Sequence, residues 1–174
     1  MLLSVMQVVK YILLMFIFGL STGIGMLISK SYENRVLELK EFKNILNIMK
    51  TKIKFTYEPL AEIFKQISKD NETEIEKIFG QMANQITYYH TKDVWENCIQ
   101  NSDISIKQED KDVLKKLGKL LGQTDVEGQI SEIEMTQSFL DIQIEQAEEE
   151  KKKNQKMYKT LGVVAGLVFV IILF

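Results

Sequence analysis

Few side chains in this chain have a type and a setting suited to chemistry. His90 is the only histidine and Cys98 the only cysteine in 174 residues. Nucleophilic catalysis needs a base beside the thiol, and a metal site needs several such ligands. One cysteine also excludes an internal disulfide. We expect His90 to be a surface or packing residue and Cys98 to be a small buried apolar residue.

Two further features, a glycine-rich tripeptide and an aspartate, lack the surroundings that nucleotide binding or acid–base catalysis requires. The "GIG" at Gly23–Gly25 lies in an apolar run instead of between a strand and a helix, as a nucleotide fingerprint would. Asp125 is flanked by turn residues and suits a helix cap better than a general base. We therefore predict no enzyme, no cofactor, no metal and no small-molecule substrate.

The charges are segregated along the chain. All acidic residues lie between Glu33 and Glu150, and only Lys10 among the bases lies outside Lys30–Lys159. Acids and bases nearly balance, at 24 and 22. A nucleic-acid surface needs a clustered excess of bases, so we predict no nucleic-acid partner.

The almost uncharged ends predict two membrane segments. Val8–Ile28 contains one charge, and as a helix it would measure roughly 31 Å, about the thickness of the hydrocarbon core. A cleaved signal peptide is the alternative, although the apolar run is long for one. Leu161–Phe174 is shorter; with "MYKT" before it the helix reaches roughly 27 Å. A buried core helix is the alternative there.

Lysines at the inner flanks predict the orientation. A lysine cluster precedes the second segment, and several bases follow the first, whereas the outer flanks carry only Lys10 and the terminal amine. The positive-inside rule then places the middle of the chain in the cytoplasm and both termini on the opposite side. We predict that the membrane interface is formed by Lys153, Lys156, Met157, Tyr158 and Lys159.

Both apolar segments carry small residues at helical spacing, which allow two membrane helices to approach closely. This favours helix packing within the hairpin or between copies, with a homo-oligomer as one outcome. The residues concerned are Gly19, Gly23, Gly25, Gly162, Ala165 and Gly166.

The middle of the chain has one proline and helical periodicity, so we predict an all-α bundle of about six helices. Leu39, Phe42, Leu46, Met49 and Ile53 form one apolar face of the first helix. The shorter helices are predicted over residues 59–69, 74–86, 92–100 (after a Thr91 cap) and 107–122, with Gly122 as the C-cap of the last of these.

The last helix starts after Thr124 or Asp125 and continues from Val126 into the second apolar segment. Its apolar stripe has a heptad-like spacing with Gln137 as the one polar member. The stripe comprises Val126, Ile130, Ile133, Leu140, Ile144 and Ala147. The domain organisation predicted is a transmembrane helix at 1–30, a cytoplasmic bundle at 31–156 and a second transmembrane helix at 157–174.

Two C-terminal motifs resemble a known family. The segment "KLGKLLGQTDVEGQISEI" contains a Gly-x-x-Leu-Gly-x-x-Asp-x-x-x-Gln pattern, carried by Gly118, Leu121, Gly122, Asp125 and Gln129. Together with the terminal "KNQKMYKTLGVVAGLVFVIIL", it is similar to the stage III sporulation protein AB family of endospore-forming bacteria. "YEPLAEIF" and the tryptophan of "VWENC" are similar to that family too, while residues 70–105 match it loosely.

The resemblance implies a fold and a role. Family members are similar to the cytoplasmic domain of the type II secretion and type IV pilus inner-membrane platform protein, an antiparallel six-helix bundle. It implies a platform subunit in a forespore channel complex, in the mother-cell membrane around the forespore. The partners implied are a secretion-type ATPase and other membrane subunits of that complex, and the chain itself would not be catalytic.

One alternative to this role comes from a different functional class. A signalling receptor can also have two anchors around a helical bundle, but it would usually expose the bundle outside and add a cytoplasmic output domain. For the corner at Gly118–Gln129, a structural role is favoured over a contact role, because a glycine with positive φ and a capping aspartate would start the last helix.

Overall fold

The computed structural model describes residues 2–70 and 72–173, with all side chains there except those of residues 2–5 and 8. Met1, Asn71 and Phe174 lie outside the described residues, and with them the outer ends of the predicted segments 1–30 and 157–174. In these ranges the chain forms six α-helices and no strand, which confirms the all-α prediction. The helices are α1 (Leu2–Phe55), α2 (Leu60–Ile67), α3 (Glu74–Gln85), α4 (Thr91–Gln100), α5 (Gln108–Leu117) and α6 (Val126–Leu173).

The chain divides into two compact units. The bundle unit spans Arg35–Gln146, and the terminal unit consists of the described residues up to Asn34 and from Ala147 onward. Helices α1 and α6 each contribute residues to both units.

The core of the bundle unit forms on the predicted face of α1. Leu39, Phe42, Leu46 and Met49 are fully buried, and Ile53 is nearly so. Phe42 lies beside Phe79 of α3, which in turn meets Phe64 of α2 and Trp95 of α4 edge-on, with ring centroids 5.5 and 5.8 Å apart. Four helices thus each supply one aromatic ring to a single cluster, an arrangement that stabilises beyond simple burial of apolar area.

The starts of the short helices follow local capping chemistry. Pro59 precedes α2, and its carbonyl accepts hydrogen bonds from the N–H groups of Glu62 and Ile63. Thr73 and Glu76 form a capping box at the start of α3, and the Thr-x-x-Glu spacing is its local sequence signal. The predicted cap at Thr91 is wrong by one position, because α4 begins at Thr91 and His90 precedes it.

The predicted end of α5 is also wrong. The helix ends at Leu117, and the N–H groups of Gly118, Lys119 and Leu120 bond to carbonyls three residues earlier. This tighter winding turns Leu120 outward, where it is 37% exposed, and keeps Leu121 fully buried. Regular helical periodicity continued to Gly122 predicts instead that both leucines are buried.

Within the bundle unit, α6 packs through Ile133, Leu140 and Ile144 of the predicted stripe. Val126 and Ile130, at its start, are only half-buried, and Thr136 is buried although the stripe omitted it. Gln137 is half-buried, and its side-chain amide donates a hydrogen bond of 3.2 Å to the backbone carbonyl of Lys43. The one polar member of the stripe therefore has a partner on α1.

The terminal unit contains the apolar parts of α1 and α6. Each helix has an 18-residue stretch apolar enough to cross a membrane, with mean hydropathy 2.2 and 1.8. Their side chains are largely exposed, as those of Phe16, Leu27, Ile171 and Ile172 show. Two large apolar surfaces of this length suit a hydrocarbon environment, so these helices are candidate membrane anchors.

Candidate functional sites

The corner before α6 is built by four of the motif residues and the backbone around them. Gly122 has φ of +72°, a conformation that favours glycine because a Cβ would crowd the backbone. Of the two predicted caps, Asp125 takes the role, since its Oδ1 accepts a hydrogen bond of 2.9 Å from the N–H of Gly128. Leu121 anchors the corner in the core.

Gln129 ties the two sides of this corner together. Its side-chain oxygen accepts a hydrogen bond of 3.0 Å from the N–H of Gly122, and its amide nitrogen donates one of 3.1 Å to the carbonyl of Thr124. One glutamine amide thus satisfies a donor and an acceptor that no regular helix pairs. This gives the Asp-x-x-x-Gln spacing a physical reason.

Gly118 has a packing role instead of a conformational one. A Cβ placed on it would lie 2.6 Å from Cδ1 of Trp95, well inside van der Waals contact. The indole Nε1 of Trp95 donates a buried hydrogen bond of 2.7 Å to the carbonyl of Leu114. Glycine at 118 therefore makes room for the ring that caps the aromatic cluster.

Two motifs far apart in sequence line one groove beside this corner. The groove has a volume of about 240 Å³ and lies between Tyr57–Leu60, from the "YEPL" segment, and Gly122, Val126 and Gln129. Tyr57 has φ of +52° and is 75% exposed. Such a conformation is strained for a bulky residue and often marks functional positions, so it supports a contact role beside the structural one.

In the terminal unit the two apolar helices meet at glycines. A Cβ on Gly25 would lie 2.7 Å from the carbonyl oxygen of Tyr158 and 2.8 Å from Cα of Gly162. The hydroxyl of Ser21 donates a hydrogen bond of 2.8 Å to the carbonyl of Gly162. One turn on, Phe18 packs against Gly166. This close crossing of backbones is the arrangement that small residues permit in a bilayer.

The other small residues lie away from this contact. Gly19 and Gly23 have open space where a Cβ would be, and Ala165 is exposed. The structure thus brings together Gly25, Gly162 and Gly166, and leaves a packing role for the other three as a prediction.

One of the predicted interface residues, Tyr158, lies at the glycine contact. Tyr158 stacks on Tyr32, with centroids 5.8 Å apart and an interplanar angle of 16°. Lys151 pairs with Glu33 at 3.3 Å. The other four predicted residues (Lys153, Lys156, Met157 and Lys159) are exposed. They are free to extend toward headgroups or water.

An ion pair in the core of the bundle unit was missed by sequence reasoning. Arg35 is 3% exposed and Asp110 is fully buried, and they pair at 2.8 Å. The sequence does contain a signal for a buried ion pair, because Arg35 is the only arginine among 22 basic residues. Arginine is the base suited to a buried, two-pronged contact with a carboxylate.

The candidate reactive side chains are not assembled into a site. Cys98 is a buried free thiol, as predicted, and burial raises its pKa, which disfavours the reactive thiolate. His90 is exposed. Among the described residues no group of three metal-ligating side chains is present. The candidate sites that the structure contains are the corner before α6 with its groove, and the glycine contact between the apolar helices.

Comparisons with known proteins agree on one family. The model of the stage III sporulation protein AB family matches residues 10–174. Stage III sporulation protein AB of Bacillus subtilis (strain 168) is 27% identical over 162 residues, covering 91% of this chain and 95% of that protein.

A solved structure of stage III sporulation protein AB (SpoIIIAB) covers 69% of this chain and 98% of its own, with a TM-score of 0.64 at 22% identity. That likeness shows the fold. These relatives are named for sporulation and for no enzymatic activity. Because the family model spans nearly the whole sequence, the chain belongs to the stage III sporulation protein AB family.

Proposed function

We propose that this chain is the membrane-anchored platform subunit of a sporulation-specific, secretion-like channel complex, where it links a cytoplasmic ATPase to the membrane assembly. The observation that carries the proposal is that α1 and α6 each combine an apolar stretch with a part that belongs to the bundle. Each helix supplies both a membrane-length apolar stretch and a face of the bundle core. In a family of sporulation proteins, this composition suits a scaffold that joins a soluble partner to a membrane complex.

The orientation proposed has the bundle unit in the mother-cell cytoplasm and both termini across the membrane that surrounds the forespore. Its support is the lysine cluster at 151–159 beside the second apolar stretch. Polybasic segments next to a membrane helix also attract anionic headgroups at about 1 kcal/mol per base. The same lysines therefore favour the cytoplasmic leaflet twice, through topology and through lipid contact.

A single-cysteine probe tests the orientation. Tyr88 is 80% exposed in the bundle unit, so Tyr88→Cys in a Cys98→Ala background gives one accessible thiol. We expect a membrane-impermeant maleimide to leave it unlabelled in intact mother-cell protoplasts and to label it after permeabilisation. Labelling before permeabilisation would place the bundle on the opposite side and contradict the proposal.

Crosslinking tests the link to the ATPase. The full-length chain, tagged and purified from sporulating cells after mild crosslinking, should carry the secretion-type ATPase and membrane subunits as partners. The residues of this chain that crosslink to the ATPase should lie in the bundle unit, Arg35–Gln146. Recovery of membrane subunits without the ATPase would refute the linking role while leaving membrane anchoring intact.

A further inference from the structure

An exposed apolar stripe runs along the outside of α6 in the bundle unit. It consists of Met135, Phe139 and Ile142, which are 48%, 46% and 52% exposed. Their spacings of four and three residues place them within a sector of about 60° on one side of the helix. We call this the outer stripe, and it is distinct from the face of Ile133, Leu140 and Ile144 that packs in the core.

The outer stripe has the pattern of a helix-packing seam. Single exposed apolar residues are common on protein surfaces, whereas large apolar side chains aligned along a helix are typical of a contact surface. Spacings of three and four are those by which one helix meets another along its length. Within the bundle unit, α6 already packs against the other helices through its opposite face. The outer stripe is therefore a second contact surface on the same helix.

The charged side chains that α6 itself places around the stripe are all acidic. Between Val126 and Gln146, α6 carries five acids and no base. Two of the acids, Glu134 and Asp141, are paired with Lys50 and Lys43 of α1. The other three are Glu127, Glu132 and Glu145. By helical position Glu132 borders the outer stripe on one side and Glu145 on the other.

We propose that the outer stripe is a docking surface for an amphipathic helix of another protein, one whose apolar face is flanked by Lys or Arg. Charge complementarity selects this occupant. A second copy docking through the same surface would bring two acidic faces together, and like charges in an interface disfavour association. An anionic membrane surface is disfavoured for the same reason. This proposal does not depend on the ATPase link.

A photo-crosslinking experiment in cells tests the occupant. The photoreactive residue p-benzoylphenylalanine replaces Phe139 in the full-length chain in sporulating cells, and a matched variant carries it at Tyr88, which is also exposed but lies between α3 and α4. We expect an adduct at position 139 at least fivefold above that at position 88. Mass spectrometry of the adduct should locate it in a helical segment with an apolar stripe and an excess of Lys and Arg.

Charge reversal distinguishes specific binding at the outer stripe from non-specific hydrophobic association. Glu132→Lys with Glu145→Lys should reduce the adduct at position 139 at least fivefold, whereas Asp70→Lys with Asp103→Lys, two exposed acids in loops, should leave it unchanged. The thermal midpoint of the purified protein checks that both double variants fold. The proposal is refuted by no adduct above the control, by an adduct to lipid or to a second copy, or by an adduct that survives reversal at Glu132 and Glu145.

Discussion

The guanidinium of Arg35 and the carboxylate of Asp110 face each other in a two-pronged ion pair within the core. Nε lies 2.8 Å from Oδ2, and the second guanidinium nitrogen lies 2.9 Å from Oδ1. Asp110 also accepts a hydrogen bond of 2.8 Å from the N–H of Lys107, and Arg35 reaches the side-chain oxygen of Gln143. The pair therefore joins the start of α5 to α1 and α6.

Removing one partner of this pair should be strongly destabilising. Asp110→Asn or Arg35→Met leaves a buried charge without its ion-pair partner, which costs about 3–5 kcal/mol. Arg35→Lys should also destabilise, because lysine lacks the planar fork. Thermal unfolding of the full chain in detergent, followed by circular dichroism, measures the effect.

A double variant and an exposed pair serve as controls. Arg35→Met with Asp110→Leu should cost less than the sum of the single losses, because no charge stays buried. Asp141→Asn breaks the exposed pair with Lys43 and should cost less than about 1 kcal/mol. Equal effects at Asp110 and Asp141 would contradict the importance assigned to burial.

The glycine contact of the terminal unit predicts a difference between two glycines on the same helix. Gly25→Ile would force backbones apart at Tyr158 and Gly162, whereas Gly19→Ile enters open space. With Tyr32→Cys and Tyr158→Cys in a Cys98→Ala background, a short bismaleimide should crosslink α1 to α6 in membranes. We expect Gly25→Ile to reduce the yield several-fold and Gly19→Ile to leave it unchanged. The reverse order would refute the crossing point.

The contact of Gly118 with Trp95 predicts an optical change. Trp95 is the only tryptophan and is fully buried, so its fluorescence reports on one site. Gly118→Ala would place a Cβ 2.6 Å from the indole, and the ring must move. We expect a red-shifted emission and a loss of about 1–3 kcal/mol from overpacking. Gly80→Ala is the control, because its nearest neighbour is the Ser68 side chain at 3.3 Å.

Glu38 predicts a pH dependence of stability. Burial raises its pKa above the ordinary value of 4.5, while the hydrogen bond from the N–H of Ser105 opposes that rise in part. Because the folded state then holds this proton more tightly, the contribution of Glu38 to stability falls as the pH rises from 4.5 through the raised pKa. Relative to Glu38→Gln, the wild type should therefore be less stable at pH 8 than at pH 4.5.

Asp112 provides a control of opposite sign. The hydrogen bonds from Lys115 and Gln108 lower the pKa of Asp112, so its contribution is present above the ordinary value and is lost as the pH falls through the lowered pKa. Measured against Asp112→Asn, the wild type should lose stability only toward acid pH. Denaturation midpoints of the three proteins across the pH range test both signs.

The sequence predicted elements whose signal is periodic or strongly local. The buried face of α1 from Leu39 to Ile53 follows from spacings of three and four, and the start of α2 next to Pro59 follows because a missing N–H is harmless there. The early end of α5 does not follow from periodicity, and Gly118, just past that end, lies against Trp95 of another helix. Periodicity alone has no information about such a neighbour.

The same distinction holds for the candidate sites. The conformation of Gly122 and the cap at Asp125 are local, and residue type predicted both geometries. The pair of Arg35 with Asp110 spans 75 positions, and no spacing rule connects residues at that distance. The sequence gives no reason to prefer one glycine of α1 over another as the contact with α6. Which glycine makes that contact depends on how the two helices pack.

The four-ring cluster has a consequence for quality control in the cell. Phe42, Phe64, Phe79 and Trp95 come from four successive helices, so no shorter piece of the bundle keeps a complete set of neighbours. A protease that cuts any one of the intervening connections would release a ring from the cluster and expose the others. The domain should therefore persist intact or be degraded entirely, and half-sized remnants should not accumulate at the membrane.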